Sequence, residues 1–384
     1  MLTRREFLCG TMVTAAGAAL PNLAWGETAP GEVEGAGSLR AHAAAHGLQV
    51  GCAVQPRLLV PVHDSTENIA YSRLVRTQAG IVVAENAMKW DALRPAPDRF
   101  SFGEADALFR FAEANGQLVR GHNLVWHLAL PAWFESTATR DNARSLLAQH
   151  IATVAGRYAG RVHSWDVVNE AVEPDDGRSD ALRRTPWLEL IGPKYLELAY
   201  RLAHRADPRA RLTYNDFGIE LDTPPQIAKR ACVLRLLRKL KARGVPLHAL
   251  GVQSHFMADG PRPGRGLKEL VRECAGLGVE VYITELDVND SALEGTLGDR
   301  DRAVAAVYRD YLQTMLAEPN VKMVLTWGIT DRYTWLNSLP HGRPDGRKQR
   351  PLPFDEDYQP ALAYFALRDA LDMHVCAGCR RSAP

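Results

Sequence analysis

Six cysteines in 384 residues are too few to staple a chain of this length, so a disulfide scaffold is excluded. Charge of one sign is also missing: 46 Lys and Arg stand against 45 Asp and Glu, a net of +1 with His neutral. That balance offers no basic field to nucleic acid or anionic lipid, and neither is expected as a partner. No G-x-G-x-x-G follows the first strand candidate and no G-x-x-x-x-G-K-[ST] occurs, which argues against nucleotides. No His-x-His closes that strand, and His122 and His127 stand five apart across a strand end, so a catalytic metal is not expected. Nor is any cofactor.

What is present is an ordinary globular composition, 46% hydrophobic and 24% charged, which excludes bulk disorder. The first 26 residues read as an export signal rather than as fold. Thr3-Arg4-Arg5-Glu6-Phe7-Leu8 opens it, and a weakly apolar stretch from Cys9 to Leu20 follows. That stretch falls short of the about 20 residues a spanning helix needs, so the reading is a cleaved twin-arginine-type signal and an exported protein, with no membrane contact after cleavage. Residues 27–45, rich in Gly, Ala and Glu, read as a flexible lead-in, and residues 374–384 as a C-terminal tail. Cys52, Cys232 and Cys274 read as small buried hydrophobes, while Cys376 and Cys379 have the spacing of a local disulfide or of nothing at all.

Between the ends, strand-like and helix-like segments alternate. Strand candidates are residues 48–54, 80–85, 117–125, 162–169, 211–216, 248–254, 280–285 and 322–327. Helical patterns cover 67–78, 102–115, 144–158, 188–206, 226–243, 266–277, 302–316 and 362–371. The strands are near-continuously apolar, as expected where both faces are covered. Eight β–α units in order predict an α/β fold, a single (β/α)8 TIM barrel over residues 46–373. Residues 337–358, the longest irregular piece, read as a loop on the top face of the barrel.

In such a barrel the working groups lie at the C-terminal ends of the strands. Those ends carry Glu85-Asn86 with Lys89 and Trp90, His122 with Trp126 and His127, Asn169-Glu170, Tyr214-Asn215-Asp216, Gln253-Ser254-His255, Glu285 with Asp287, and Trp327 with Trp335 beyond it. A core would not tolerate so many polar groups, and solvated surface has no need of the indoles. Glu170 and Glu285 end the fourth and seventh strands, which face each other across the mouth. Glycosidic cleavage requires such a pair, one carboxyl to protonate the leaving oxygen and one to attack the anomeric carbon or activate water. His255 and Asp287 read as a relay that orients the Glu285 carboxylate. Asn169 suits a sugar 2-hydroxyl. Trp327 and Trp335 offer flat faces to pyranose rings.

These strand ends resemble those of family 10 glycoside hydrolases, the (β/α)8 endo-β-1,4-xylanases. The resemblance runs through about residues 48–370 and rests on Glu85-Asn86-Ala87-Met88-Lys89-Trp90, on residues 120–127, on Trp165-Asp166-Val167-Val168-Asn169-Glu170, on Tyr214-Asn215-Asp216, on residues 251–255, on Ile283-Thr284-Glu285-Leu286-Asp287, and on residues 326–331. It implies Glu170 as acid/base and Glu285 as nucleophile of a retaining reaction through a covalent glycosyl-enzyme, with the carboxyls about 5–5.5 Å apart. It also implies Glu85, Asn86, Lys89, His122, Trp126, Gln253, Trp327 and Trp335 as ligands of the glycone-side sugars. Xylan or xylo-oligosaccharide is then the substrate, and a monomer is expected. The chain departs from the family at Leu128-Ala129, where Ser-Gln is usual, at Gly218, which replaces an amide, and at Ala361-Leu362, which replaces Lys-Pro. A barrel glycosidase acting on another β-linked glycan, such as a glucan or aryl cellobioside, and a non-catalytic carbohydrate-binding barrel are the alternative readings.

Overall fold

The structure, a computed structural model, describes residues 33–59, 66–338 and 340–374. The signal reading on residues 1–26 and the Cys376–Cys379 reading lie outside them. Among the described residues nine strands form: β1 (Gln49–Val54), β2 (Ile81–Ala84), β3 (Leu118–His122), β4 (Ser164–Asn169), β5 (Arg211–Asp216), β6 (Ala249–Val252), β7 (His255–Met257), β8 (Glu280–Asn289) and β9 (Val321–Thr326). Every pairing is parallel: β1 through β6 run side by side, β6 pairs with β8, β8 with β9, and β9 with β1. The ring is therefore a closed eight-stranded barrel, with the three-residue β7 added outside it along β8.

Alternation along the strands sorts two cores. One apolar set fills the barrel (Ala53, Ile81, Val83, Ala249, Tyr282, Met323, Leu325 and Trp327), and a larger one lies between the sheet and its helices. The barrel interior also holds a buried charge. Arg120 on β3 is ion-paired with Asp166 on β4 and donates to Ser164 Oγ at 3.1 Å. Gly121 follows it because the Trp165 ring occupies the space a Cβ would need, 2.2 Å from the nearest ring atom.

The helices depart from the sequence reading where local chemistry outweighs apolar spacing. The segment expected as one helix over 188–206 is two, Pro186–Ile191 and Tyr195–Ala206. Gly192 at φ +82° ends the first, and Pro193 has no N–H to continue it. The helix expected from 302 starts at Leu297, because Thr296 and Asp299 cap each other's backbone in a capping box. Part of the supposed flexible lead-in is also ordered. Leu39–Ala45 is a helix, capped by the Ser38 side chain, that buries Leu39 and Ala43. His42 Nδ1 on it donates to the Asp372 carboxylate at 2.7 Å, just past the last helix, Leu362–Leu371. Cys52 and Cys274 are buried, but Cys232 is half-exposed beside Arg235. Among the described residues no helix is long and apolar enough to cross a membrane.

The loop over 337–358 is tied down by charge. Asp290, fully buried beyond the end of β8, takes Arg300 Nε at 2.7 Å and the Arg350 backbone N–H at 3.2 Å, and its backbone carbonyl accepts from Arg343. Arg343 also pairs with Asp345 at 2.7 Å, and Arg350 with Asp301 at 2.5 Å.

Candidate active site

All eight barrel strands bring their C-terminal ends to one rim, and that rim carries the polar residues singled out above. Two backbone irregularities set it up. The β4–β5 register shifts between Asp166 and Val168, just before Asn169-Glu170, and the β8–β9 register shifts between Ile283 and Leu286, around Glu285. Such bulges re-aim the side chains that follow them. Glu170 then sits at φ +57°, in the left-handed region.

The Glu170 carboxyl is held by three donors. Oε1 accepts from Asn169 Nδ2 and Gln253 Nε2, each at 2.9 Å, and Oε2 from Trp126 Nε1 at 2.9 Å. Glu285, also buried, accepts from Asn215 Nδ2 at 2.8 Å on Oε1 and from His255 Nε2 at 3.3 Å on Oε2. The Asn215 amide nitrogen donates to Asn169 Oδ1 as well, at 2.8 Å, so two amides link one carboxyl to the other. Thr284 Oγ1 donates to Asn215 Oδ1 at 2.7 Å, which fixes which way that amide faces.

Short strand β7 explains the place of His255. Its pairing with β8 sets His255 opposite Asp287, and Nδ1 lies 2.8 Å from Asp287 Oδ1. Asp287 Oδ2 accepts from Trp335 Nε1 at 2.7 Å. An imidazole placed between two carboxylates donates from both nitrogens. Burial alone would lower the His255 pKa, but Asp287 and Glu285 outweigh it and hold the group well above its ordinary value. Burial likewise pushes the Glu285 carboxyl up. The His255 hydrogen bond, the nearby His122 and Asn215 outweigh that, and its pKa lies below the usual 4.5.

The second wall comes from β2 and β3. Glu85 Oε2 accepts from Gln55 Nε2 at 2.9 Å, and burial raises its pKa despite that bond and the Lys89 charge. Lys89 Nζ donates to Asn86 Oδ1 at 2.8 Å and lies 5.2 Å from the Trp126 ring centroid and 6.0 Å from that of Trp327. Burial lowers the Lys89 pKa, countered by Glu285 and Glu85. His122 Nδ1 lies 3.0 Å from Asp166 Oδ2, and its ring meets Trp327 edge-on at 5.3 Å. Past this wall an open hollow of about 480 Å³ is lined by Asn86, Lys89, Asp91, Trp126, Leu128 and Ala129, with Leu128 53% exposed.

The structure thus brings Glu170, Glu285, His255, Asp287, Asn169, Gln253, Trp126 and Trp335 into one bonded cluster, and Glu85, Asn86, Lys89 and His122 into the wall beside it. Trp327 differs from an open platform: it is 9% exposed and packs with the barrel's inner apolar set. Asn215 lies in a strand end singled out above but given no role there, while Gln55 and Arg183 are not among the residues the sequence singles out. Gln55 directly follows β1, so the strand-end rule reaches it. Arg183 carries no sequence signal, because it reaches the site from a loop.

Comparison with known proteins adds the family. The model for glycosyl hydrolase family 10 matches residues 38–370. A β-1,4-xylanase of Dictyoglomus thermophilum is 36% identical over 305 residues, 77% of this chain and 83% of that protein. Endo-1,4-β-xylanase B of Paenibacillus barcinonensis is 35% identical over 342 residues, 84% and 95% of the two. Among solved structures, native xylanase 10B from Thermotoga maritima superposes with a TM-score of 0.78 at 35% identity, covering 87% of this chain and 98% of that one. Xylanase 10B from Thermotoga petrophila, in complex with xylobiose, does so at 0.78 and 34%, covering 87% and 97%.

Proposed function

The chain belongs to glycosyl hydrolase family 10, and on that premise we propose that it is a retaining endo-β-1,4-xylanase with Glu285 as nucleophile and Glu170 as acid/base. One observation carries the assignment of roles. Of the two glutamates, Glu285 is the one that accepts from His255, an imidazole that Asp287 holds on its other nitrogen and that keeps the Glu285 pKa down, so it is the carboxylate kept bare for attack.

The chemistry then runs in two balanced halves. A Glu285 oxygen bonds to the anomeric carbon as the bond from that carbon to the bridging oxygen breaks, and Glu170 gives its proton to the departing oxygen. Glu170, now a carboxylate, takes a proton from water, whose oxygen displaces Glu285 from the same carbon. Two inversions leave the configuration retained.

Asn169, with one amide hydrogen committed to Glu170, keeps a second for a sugar 2-hydroxyl. Glu85, Asn86, Lys89, His122, Gln253, Trp126, Trp327 and Trp335 are assigned to the glycone sugars. The solved relative in complex with xylobiose supports a xylo-oligosaccharide ligand. Residues 1–26 are proposed to direct export by the twin-arginine route, and the barrel to act as a monomer.

The test is Glu285→Ala. Hydrolysis of xylan should be lost by about 10⁴-fold or more, while calorimetry still detects xylo-oligosaccharide binding. Turnover near the parent rate would remove Glu285 from the nucleophile's role.

A further inference from the structure

Glu170 stands one residue beyond the end of β4, where its N–H makes the last bond of the ladder and its carbonyl has none, and it is left-handed there at φ +57°. Its two backbone groups are claimed by different parts of the molecule. The N–H donates to the Asn215 carbonyl on β5 at 2.8 Å, and the carbonyl accepts from Arg183 Nε at 2.8 Å. A non-glycine residue in this region relaxes toward β or right-handed α geometry unless its surroundings hold it.

Arg183 is well placed to do the holding. It closes a narrow excursion after β4, in which Val172 bridges Leu182 antiparallel, Glu173 N–H donates to Ala181 at 2.9 Å, and Arg183 N–H donates to Ala171 at 2.8 Å. Its Nη2 donates to Glu173 at 2.9 Å, and its guanidinium lies 5.8 Å from the Phe217 ring centroid. A planar group held at both ends cannot swing away from the carbonyl it binds.

The geometry points to Arg183 as a positioning residue for the proton donor. It clamps the Glu170 backbone so that the carboxyl stays aimed at the bridging oxygen. The inference rests on the reading of Glu170 as acid/base. The three donors on the carboxyl itself must adjust as that group loses and regains its proton. The clamp on the carbonyl bears on no titrating atom, and so it keeps its strength through both halves of the reaction. Misplacing a catalytic group by about 1 Å can cost about 10²-fold in rate.

Arg183→Met removes the donors and keeps the aliphatic stem. On xylotetraose, whose leaving group needs a proton, kcat should fall about 10- to 100-fold with KM within about twofold. On a dinitrophenyl xylobioside, whose leaving group needs none, kcat/KM should fall less than about threefold. A role confined to closing the loop would lower both substrates alike or neither, and either result overturns the proposal. Should Arg183→Met not fold, Arg183→Lys measured on the same pair decides by the same criterion. Glu173→Gln, which spares the bond to the Glu170 carbonyl, should show no such split between substrates. Glu170→Ala is run beside them. If it too shows no dependence on the leaving group, the acid/base reading fails; if it shows one and the Arg183 variants do not, only the clamp does.

Discussion

The imidazole of His255 is the residue on which the electrostatics of the pocket turn. It faces Asp287 on one nitrogen and Glu285 on the other, and each carboxylate holds the proton on it. Glu285 must be ionised to attack, and its depressed pKa keeps it so as the pH falls to that lowered value. His255→Asn leaves burial as the leading influence, which favours the neutral acid. The acidic limb of kcat/KM against pH should therefore move to higher pH, and an unmoved limb would mean that His255 does not set it. Leu128 and Ala129 invite a second change. They line the open hollow past Trp126, and Ala129 already sits at φ +51°. Replacing the pair by Ser-Gln should add one hydrogen bond to a distal sugar, about 1 kcal/mol or roughly fivefold in KM for xylotetraose over xylobiose. Equal KM values in parent and variant would show that the sugar already has its partner. Glu170 and Glu285 could be read from sequence because each follows a largely apolar run, although β8 continues past Glu285 to Asn289 where the apolar run predicted its end. Arg183 could not, because it meets Glu170 across a loop whose path no periodicity reveals.

Elements were legible wherever apolar spacing decides them and illegible wherever a few polar atoms do. The eight barrel strands follow the first rule. Short β7 and the early start at Leu297 follow the second, one set by pairing with β8 and the other by the Thr296–Asp299 cap. The 337–358 loop, featureless as a pattern, is fastened by buried ion pairs around Asp290. Its removal supplies a test at this scale. Asp290→Ala would leave the buried Arg300 without its carboxylate and Arg343 close to an empty place, at a cost of about 3–5 kcal/mol. Urea unfolding measures it, and a loss below about 1 kcal/mol would show that water or Asp345 takes over the charges.

At the scale of the molecule, parallel pairing closes the sheet into a ring and sets every candidate group on one rim. Substrate choice belongs to that rim. The indoles of Trp327 and Trp335 and the ring of His122 crowd it, and a glucose unit carries a hydroxymethyl group that xylose lacks. Purified protein should cut linear xylan internally, with viscosity falling ahead of reducing-end release, and should hydrolyse carboxymethylcellulose at least about tenfold more slowly. Comparable rates on the two would favour the reading as a glycosidase of another β-linked glycan. Spanning the same mouth, Asn169 and Asn215 join the two glutamates without ever conducting between them. A carboxamide neither sheds nor picks up a proton in the working range, so this bridge acts as an electrical insulator.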